Sequence, residues 1–509
     1  MEPETTKNKR IAKNTIFLYF RSILLLGVGL YTSRLTLEAL GVEDYGIYNV
    51  IGGVVAMFTM LSNAMSSASQ RFITYALGEG NIDRLKVIFR TSVSLHIVLA
   101  LIVFVLLEFA GLWFLNNKLV IPEDRMFAAN VVFHISVATL MVGIVCIPYD
   151  AAVIAHERMK AFAYIAIMEA VEKLLLVVCL LYTTKDRLIL YATFFLFCAI
   201  FKAIIYLLYT KRNFVEAEKI KLSIDRPLFR EMFSFAGWEL FGHGSYLLRN
   251  QGIDILMNTF FGVTVNAAKG VCNQIQNAIM QFVSNFQTAM FPQLTKSIAE
   301  KDMRRTYMLI NQGSRFSFYL LMFFCVPLII NLDFVLNIWL VEVPAYTMSF
   351  IKLTLIFQLM DTLSRCMMCS ISSTGKIRNY EICVGTTKLL AVPFTYVFLR
   401  LGGDPTTGLL VNIGIEIVCI FQRLWFNQRL LQFPVLSFLK NVVAKCWIIF
   451  VLSYFVCYVI AKYIEESLGL IIITGVINTL VLYCIGLSKN ERTLINSKLL
   501  PVIAKALKK

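Results

Sequence analysis

Apolar residues along this chain arrive in blocks of about 20, separated by short polar or charged stretches. A block of that length matches a helix that crosses the hydrocarbon core of a bilayer. The pattern predicts about fourteen such spans. They fall at 14–37, 47–69, 91–115, 127–149, 161–183, 188–209, 230–257, 266–290, 311–332, 346–371, 379–399, 406–426, 441–463 and 468–487. Spans 230–257 and 266–290 are polar for membrane helices. The first apolar run follows a basic start, as a secretory leader would. It is too long for one, carries Arg21 and Arg34, and has no small-residue cleavage pattern. A retained first helix is expected.

Composition agrees with the pattern. The chain is 58% hydrophobic and only 16% charged, against roughly 25% charged in soluble domains. The net charge of +16 could suggest a nucleic-acid partner, but its placement points elsewhere. Basic residues recur in every second loop: Lys7 to Lys13, Arg84 to Arg90, Arg158/Lys160, Lys211 to Arg230, Lys296 to Arg305, Lys376/Arg378, Arg423/Arg429/Lys440, and the tail from Lys489. The intervening loops are poor in Lys and Arg. The positive-inside rule makes the basic side cytoplasmic and puts both termini there. No nucleic-acid partner is expected.

The 12 cysteines lie mostly inside apolar blocks and form no disulfide framework. Cys366 and Cys369 have a metal-like spacing, but they stand in an apolar helix without a second pair, which reads as packing. A shift of 221 residues lays Gly41-Val42 on Gly262-Val263, Ala68 on Ala289 and Thr74 on Thr295. This faint repeat predicts two six-helix lobes in parallel orientation, 1–210 and 230–430. A cytoplasmic linker, 211–229, joins them. Helices thirteen and fourteen and a basic cytoplasmic tail occupy 431–509. The expected fold is thus an all-α polytopic membrane protein.

Ionisable and polar groups inside spans are the candidate chemistry, because hydrocarbon tolerates them only when paired or hydrated. At 100° per residue, Glu239, His243, Asn250 and Asp254 share one face of the seventh span. Gly237, Gly242, Gly244 and Gly252 allow that helix to bend. Asn266, Asn273, Asn277, Ser284 and Thr288 form a stripe on the eighth, with Lys269 beside it. Such stripes either zip together or line a wet cavity, and a cavity is expected. Asn63 lies on a small, polar face of the second span. Arg21, Arg249 and Lys269 would make the cavity attract anions, since Arg holds phosphate oxygens bidentately. Arg34, near the outer end of the first span, either joins them or snorkels outward. Glu239 and Asp254 are candidates for ion coupling. Asp361/Arg365 and the set Glu169, Glu172, Lys173 and Lys202 read as structural pairs. Lys388 and Glu416 are mid-span and unexplained, and His96 and His134 read as core histidines. No P-loop, dinucleotide glycine pattern, zinc-protease motif or nucleophile elbow is present. Neither an enzyme nor a cofactor is expected.

The stretches Asn14 to Arg21, Tyr31 to Arg34, Leu40 to Asn49 and Ser66 to Phe72 resemble bacterial polysaccharide repeat-unit flippases of the O-antigen (Wzx) type. That family sits in the multidrug/oligosaccharidyl-lipid/polysaccharide exporter (MOP) superfamily, alongside the multidrug extruders and the peptidoglycan-precursor flippase. The resemblance is strongest over the first 90 residues. It implies a cavity between lobes that opens alternately to either side of the inner membrane, for O-antigen or other surface polysaccharide biosynthesis. The implied partner is a glycan on undecaprenyl diphosphate, with its lipid tail in the membrane along the last two helices. A polysaccharide polymerase and a chain-length regulator are candidate partners. The peptidoglycan relative places Arg in its first, second and eighth helices. This chain matches that pattern at Arg21 and offers Lys269 in the eighth. The other readings are an ion-coupled drug or small-solute antiporter and a membrane glycan enzyme.

Overall fold

The computed structural model describes residues 4–56, 58–118, 121–183, 185–218, 223–340, 342–465, 467–489, 491–493 and 496. The end of the expected basic tail lies outside them. Helices run through all fourteen expected spans: α1 Glu4–Ala56, α2 Thr59–Glu79, α3 Ile82–Leu106, α4 Leu112–Lys118, α5 Met126–Ala155, α6 Met159–Leu181 and α7 Arg187–Asn213. They continue as α8 Arg226–Phe261, α9 Val263–Ala299, α10 Met303–Ile330, α11 Leu332–Trp339, α12 Thr347–Ser373, α13 Arg378–Leu389, α14 Ala391–Arg400 and α15 Thr407–Leu431. The last are α16 Val435–Phe438, α17 Lys445–Ala461 and α18 Leu468–Val481. A single π-turn, Leu107–Gly111, joins α3 to α4.

Among the described residues, nine helices are long and apolar enough to cross a membrane by length and composition. The remaining expected spans are helical too, at α2, α6, α8, α9 and α12, but carry more polar or charged positions. Local chemistry sets several ends. Asn81 accepts the Arg84 amide at 3.0 Å to start α3, and Asp186 accepts those of Leu188 and Ile189 to start α7. The helix α1 turns sharply at Gly41, whose φ of 76° and ψ of 171° only glycine adopts readily. Gly262, between α8 and α9, has φ 79°. The sequence shift that aligns these two glycines therefore aligns two left-handed backbone positions.

The chain divides into two compact units. Unit 1 comprises Met1–Ser245, Thr288–Thr306 and Cys369–Gly385; unit 2 comprises Tyr246–Gln287, Tyr307–Met368 and Thr386–Lys509. The core of unit 1 is apolar and aromatic, with Phe89 edge-on to Tyr149 at 5.5 Å and Phe72 edge-on to Phe235 at 5.7 Å. In unit 2, Asn478 of α18 accepts from Ser453 of α17 at 2.7 Å and donates to the Met322 carbonyl of α10 at 3.1 Å. Interhelical hydrogen bonds of this kind join membrane helices where no hydrophobic driving force exists between them.

The helix α8 continues through Gly237, Gly242, Gly244 and Gly252, and at Gly252 the missing side chain allows close approach: a β-carbon there would lie 2.7 Å from Val392. One expectation changes. His134 is exposed rather than core and pairs with Glu108 at 2.9 Å. His96 is buried, bonded through Nδ1 to the Ser92 carbonyl at 2.7 Å.

Candidate functional site

Among the described residues, a cavity with polar groups in its wall lies among the helices of each unit. In unit 1 the cavity holds about 520 Å³. It is lined by α1, α2, α5 and α7, with Ser62, Asn63, Ser66, Thr139 and Asp150 as polar groups and Tyr48 and Phe195 as aromatic walls. Small residues, Gly52 and Gly143 among them, leave the space.

Asp150 is a carboxylate that periodicity did not single out. It follows Pro148 and Tyr149 on α5, past the end of the expected span, which hid its membrane depth. Tyr206 hydrogen-bonds its carboxylate, and Lys202 and Arg21 lie close enough to interact with it. Its Oδ1 is buried without a partner. Arg21 stands behind this group rather than in the cavity wall. Its guanidinium stacks 4.6 Å from the Phe162 ring centroid, and its Nε is buried without a hydrogen-bond partner. Glu169 completes the ionic set, 2.7 Å from Lys173 and 3.2 Å from Lys202, as the two helices' charges predict. Arg34 is exposed.

In unit 2 the cavity holds about 400 Å³ and is lined by α8, α9, α12 and α15. The stripes read from periodicity meet in it: Asn250 and Asp254 of α8 face it together with Lys269, Asn273 and Asn277 of α9. Gln251, Gln276, Gln358 and Asn412 also line it, and none of them was singled out from sequence. Gln358 is the lone amide in an apolar turn of α12, a signal that was available.

The α8 stripe does not stay whole. Glu239 and His243 belong to unit 1, where Glu239 accepts from Ser372 at 2.8 Å and lies 3.6 Å from His243. Arg249 is absent from the cavity wall. It is 1% exposed and sits 3.7 Å from Glu416, with its guanidinium 5.0 Å and 5.2 Å from the Tyr246 and Phe357 rings. Glu416 also binds Arg423, which is 3.9 Å from Asp361, and Asp361 pairs with Arg365 at 2.8 Å. Glu416, unexplained in the sequence, is thus the hub of a buried ionic group.

Polar clusters outside the spans tie unit 1 together. Glu157, whose side chain is 1% exposed, accepts from Lys296 at 2.6 Å and from Gln293 at 2.5 Å. Arg71 donates to the Ser373 carbonyl at 3.1 Å. Toward the other end, Arg125 grips Asp44 at 2.6 Å and Asp186 at 2.8 Å. Burial opposes ionisation of Asp186, but the Arg125 hydrogen bond and the α7 amides outweigh it and hold the carboxyl below its usual range. Among the described residues, no cluster of three His, Cys, Asp or Glu side chains could hold a metal ion.

Comparison with known proteins now bears on these cavities. Residues 11–298 match the family model described as "Polysaccharide biosynthesis protein". No curated protein sequence matches the chain. Solved structures do. A MATE transporter crystallised in complex with MaD3S is 13% identical with a TM-score of 0.71, over 85% of this chain and 97% of that one. A multidrug-resistance MATE family transporter of the MOP superfamily, in an outward-facing conformation, is 11% identical with a TM-score of 0.68, over 85% and 96%. A MOP-superfamily transporter from Pyrococcus furiosus Vc1 (DSM3638), described with a reverse-polarity binding pocket, is 12% identical with a TM-score of 0.66, over 84% and 96%. At such identities the likeness is one of fold.

Proposed function

This chain belongs to the polysaccharide biosynthesis protein family of Wzx-type flippases in the MOP superfamily, and on that premise we propose that it moves an undecaprenyl-diphosphate-linked oligosaccharide repeat unit across the bacterial inner membrane. It is a multi-pass membrane protein with a transporter fold. The observation that carries the finer reading is the unit 2 cavity: a polar chamber walled by four long helices, where hydrocarbon alone would exclude such side chains. A lipid-linked glycan needs such a chamber for its sugars while its tail stays in lipid. Arg21 and Lys269 would attract the diphosphate; Lys269 lines the unit 2 cavity directly and Arg21 acts from behind the unit 1 wall. Asn63, Asn273 and Asn277 would bind sugar hydroxyls. Arg34, Arg249 and His243 would contribute field rather than contact. Glu239 and Asp254 are the proposed ion-coupling carboxylates. The termini are placed in the cytoplasm by the basic loops. The lobes are taken as 1–210 and 230–430, exposing the substrate to one membrane face at a time. A polymerase and a chain-length regulator are the proposed partners downstream.

The test is complementation of a flippase-null strain, read as surface polysaccharide. The parent chain restores it. Arg21→Ala drops it to the null level, and full rescue by that variant removes Arg21 from the mechanism. The MATE-like fold favours one second reading, an ion-coupled drug or small-solute antiporter. Drug resistance on expression, with surface glycan unchanged, would select it.

A further inference from the structure

The turn between α5 and α6 grips the end of α9. Glu157 in that turn has φ 58°, a left-handed position that glycine usually fills at a helix end. What glutamate adds there is a carboxylate. Its side chain is 1% exposed and accepts from Lys296 at 2.6 Å and from Gln293 at 2.5 Å, with Arg10 at 3.9 Å. The packing beside it is tight. A β-carbon at Gly78 of α2 would lie 2.7 Å from the Ala299 side chain and 3.0 Å from the Lys296 backbone. Arg71, two turns earlier on α2, donates to the carbonyl of Ser373, the last residue of α12, at 3.1 Å. Ala289, one turn before Gln293 on α9, packs with Leu18, Ile154 and Met159 in a small buried apolar cluster.

Glu157 belongs to the first expected lobe, and Gln293, Lys296 and Ser373 to the second, yet all four fall within unit 1. The helix α9 passes from unit 2 to unit 1 between Gln287 and Thr288, and Pro292 follows about one turn later. Proline has no amide to donate to the carbonyl four residues back, so a helix bends most readily there. The contacts that Glu157 and Arg71 make are polar, whereas the core of unit 1 is apolar. Polar groups that bond each other across a closed seam are taken up by water when it opens, so such a seam parts more easily than an apolar core.

We propose that the end of α9 beyond Pro292 is a gate on the side of the basic loops, the cytoplasmic side by the positive-inside rule, and that Glu157 is its latch. Opening toward that side takes Lys296 and Gln293 away from Glu157. The apolar cluster around Ala289 keeps water out of the closed state. The inference rests on the transporter fold and not on which cargo is carried.

Thr74 lies one turn before Gly78 on the same face of α2 and is 1% exposed, so a thiol placed there reports on the seam. The full chain carrying Thr74→Cys is purified into phospholipid nanodiscs. Reaction of position 74 with a water-soluble maleimide is followed by peptide mass spectrometry. The native Cys325 of α10 and Cys457 of α17, both fully buried, are read in the same sample. Glu157→Gln and Lys296→Met each speed labelling at position 74 by about tenfold, with Cys325 and Cys457 unchanged. Lys296→Met in the Glu157→Gln background adds less than about twofold, because the pair is already broken. Unchanged labelling at position 74 in both single variants overturns the proposal. A parallel rise at Cys325 and Cys457 also overturns it, since Glu157 would then only hold the fold together. If Glu157→Gln does not fold, Lys296→Met decides, because the Lys296 side chain is 20% exposed and its loss is milder. Faster labelling with failed complementation by the parent chain would reject the flippase reading and keep the gate; the reverse would reject the gate alone.

Discussion

The cavities of the two units both carry polar groups in their walls, but of different kinds. In unit 1 the polar groups of the wall are mostly hydroxyls on short side chains. Thr139 donates to the Ile135 carbonyl at 2.8 Å, and Ser62 reaches the Phe58 carbonyl at 3.4 Å. Both of these hydroxyls bond a carbonyl one turn back along their own segment. In unit 2 the polar groups of the wall are mostly carboxamides. Gln358 and Asn412 each keep a buried acceptor without a protein partner. The ion pairs beside the two cavities divide in the same sense. The unit 1 set is partly exposed, with side-chain exposures of 20%, 30% and 33% for Glu169, Lys173 and Lys202. The unit 2 hub is shut in, with Arg249, Glu416 and Arg423 at 1% each. Hydroxyls make a chamber tolerant of what it holds; amides and buried charges make one that is selective and less forgiving of change.

Substitutions should break this contrast in a definite order. The largest effect is expected at Glu416→Leu, which strands the Arg249 guanidinium without a carboxylate and removes the nearer of the two carboxylates around Arg423. Removing one member of a buried pair is destabilising by roughly 3–5 kcal/mol, so thermal unfolding of the purified variant should show a large drop or no folded protein. Unchanged unfolding would mean the hub is hydrated. Next comes Gly252→Val, which drives a side chain into Val392 at the α8–α14 crossing; overpacking of this kind is unfavourable by about 1–3 kcal/mol. Glu169→Ala in unit 1 should lose less than Glu416→Leu, because the side chains it pairs with are less deeply buried. If Glu169→Ala destabilises as much as Glu416→Leu, the contrast between the units fails. The smallest effect is expected at Thr139→Val, a few tenths of a kcal/mol at most, because only a hydroxyl bonded within its own helix is lost.

Much of the fold was legible in the sequence because its signals are local. Block length gave helices at the expected spans, and the 3.6-residue period brought Asn250, Asp254, Lys269, Asn273 and Asn277 to one chamber. Those residues sit on two consecutive helices, where a stripe can be read from each helix separately. Gln358 and Asn412 arrive from α12 and α15, and no property of either helix alone says that it faces α8. Asp150 escaped because the apolar block ends just before it while the helix continues through it.

The sequence by itself determined that the chain is helical, apolar in blocks and biased in its basic loops, because helix period, block length and charge placement act over a few turns of one segment. The tertiary structure decided which charges are neutralised and which polar groups face space. Arg249 is the clearest case. Its position on α8 put a cation at cavity depth, but whether that cation meets a guest or Glu416, 167 residues further along the chain, depends on how α8 and α15 pack.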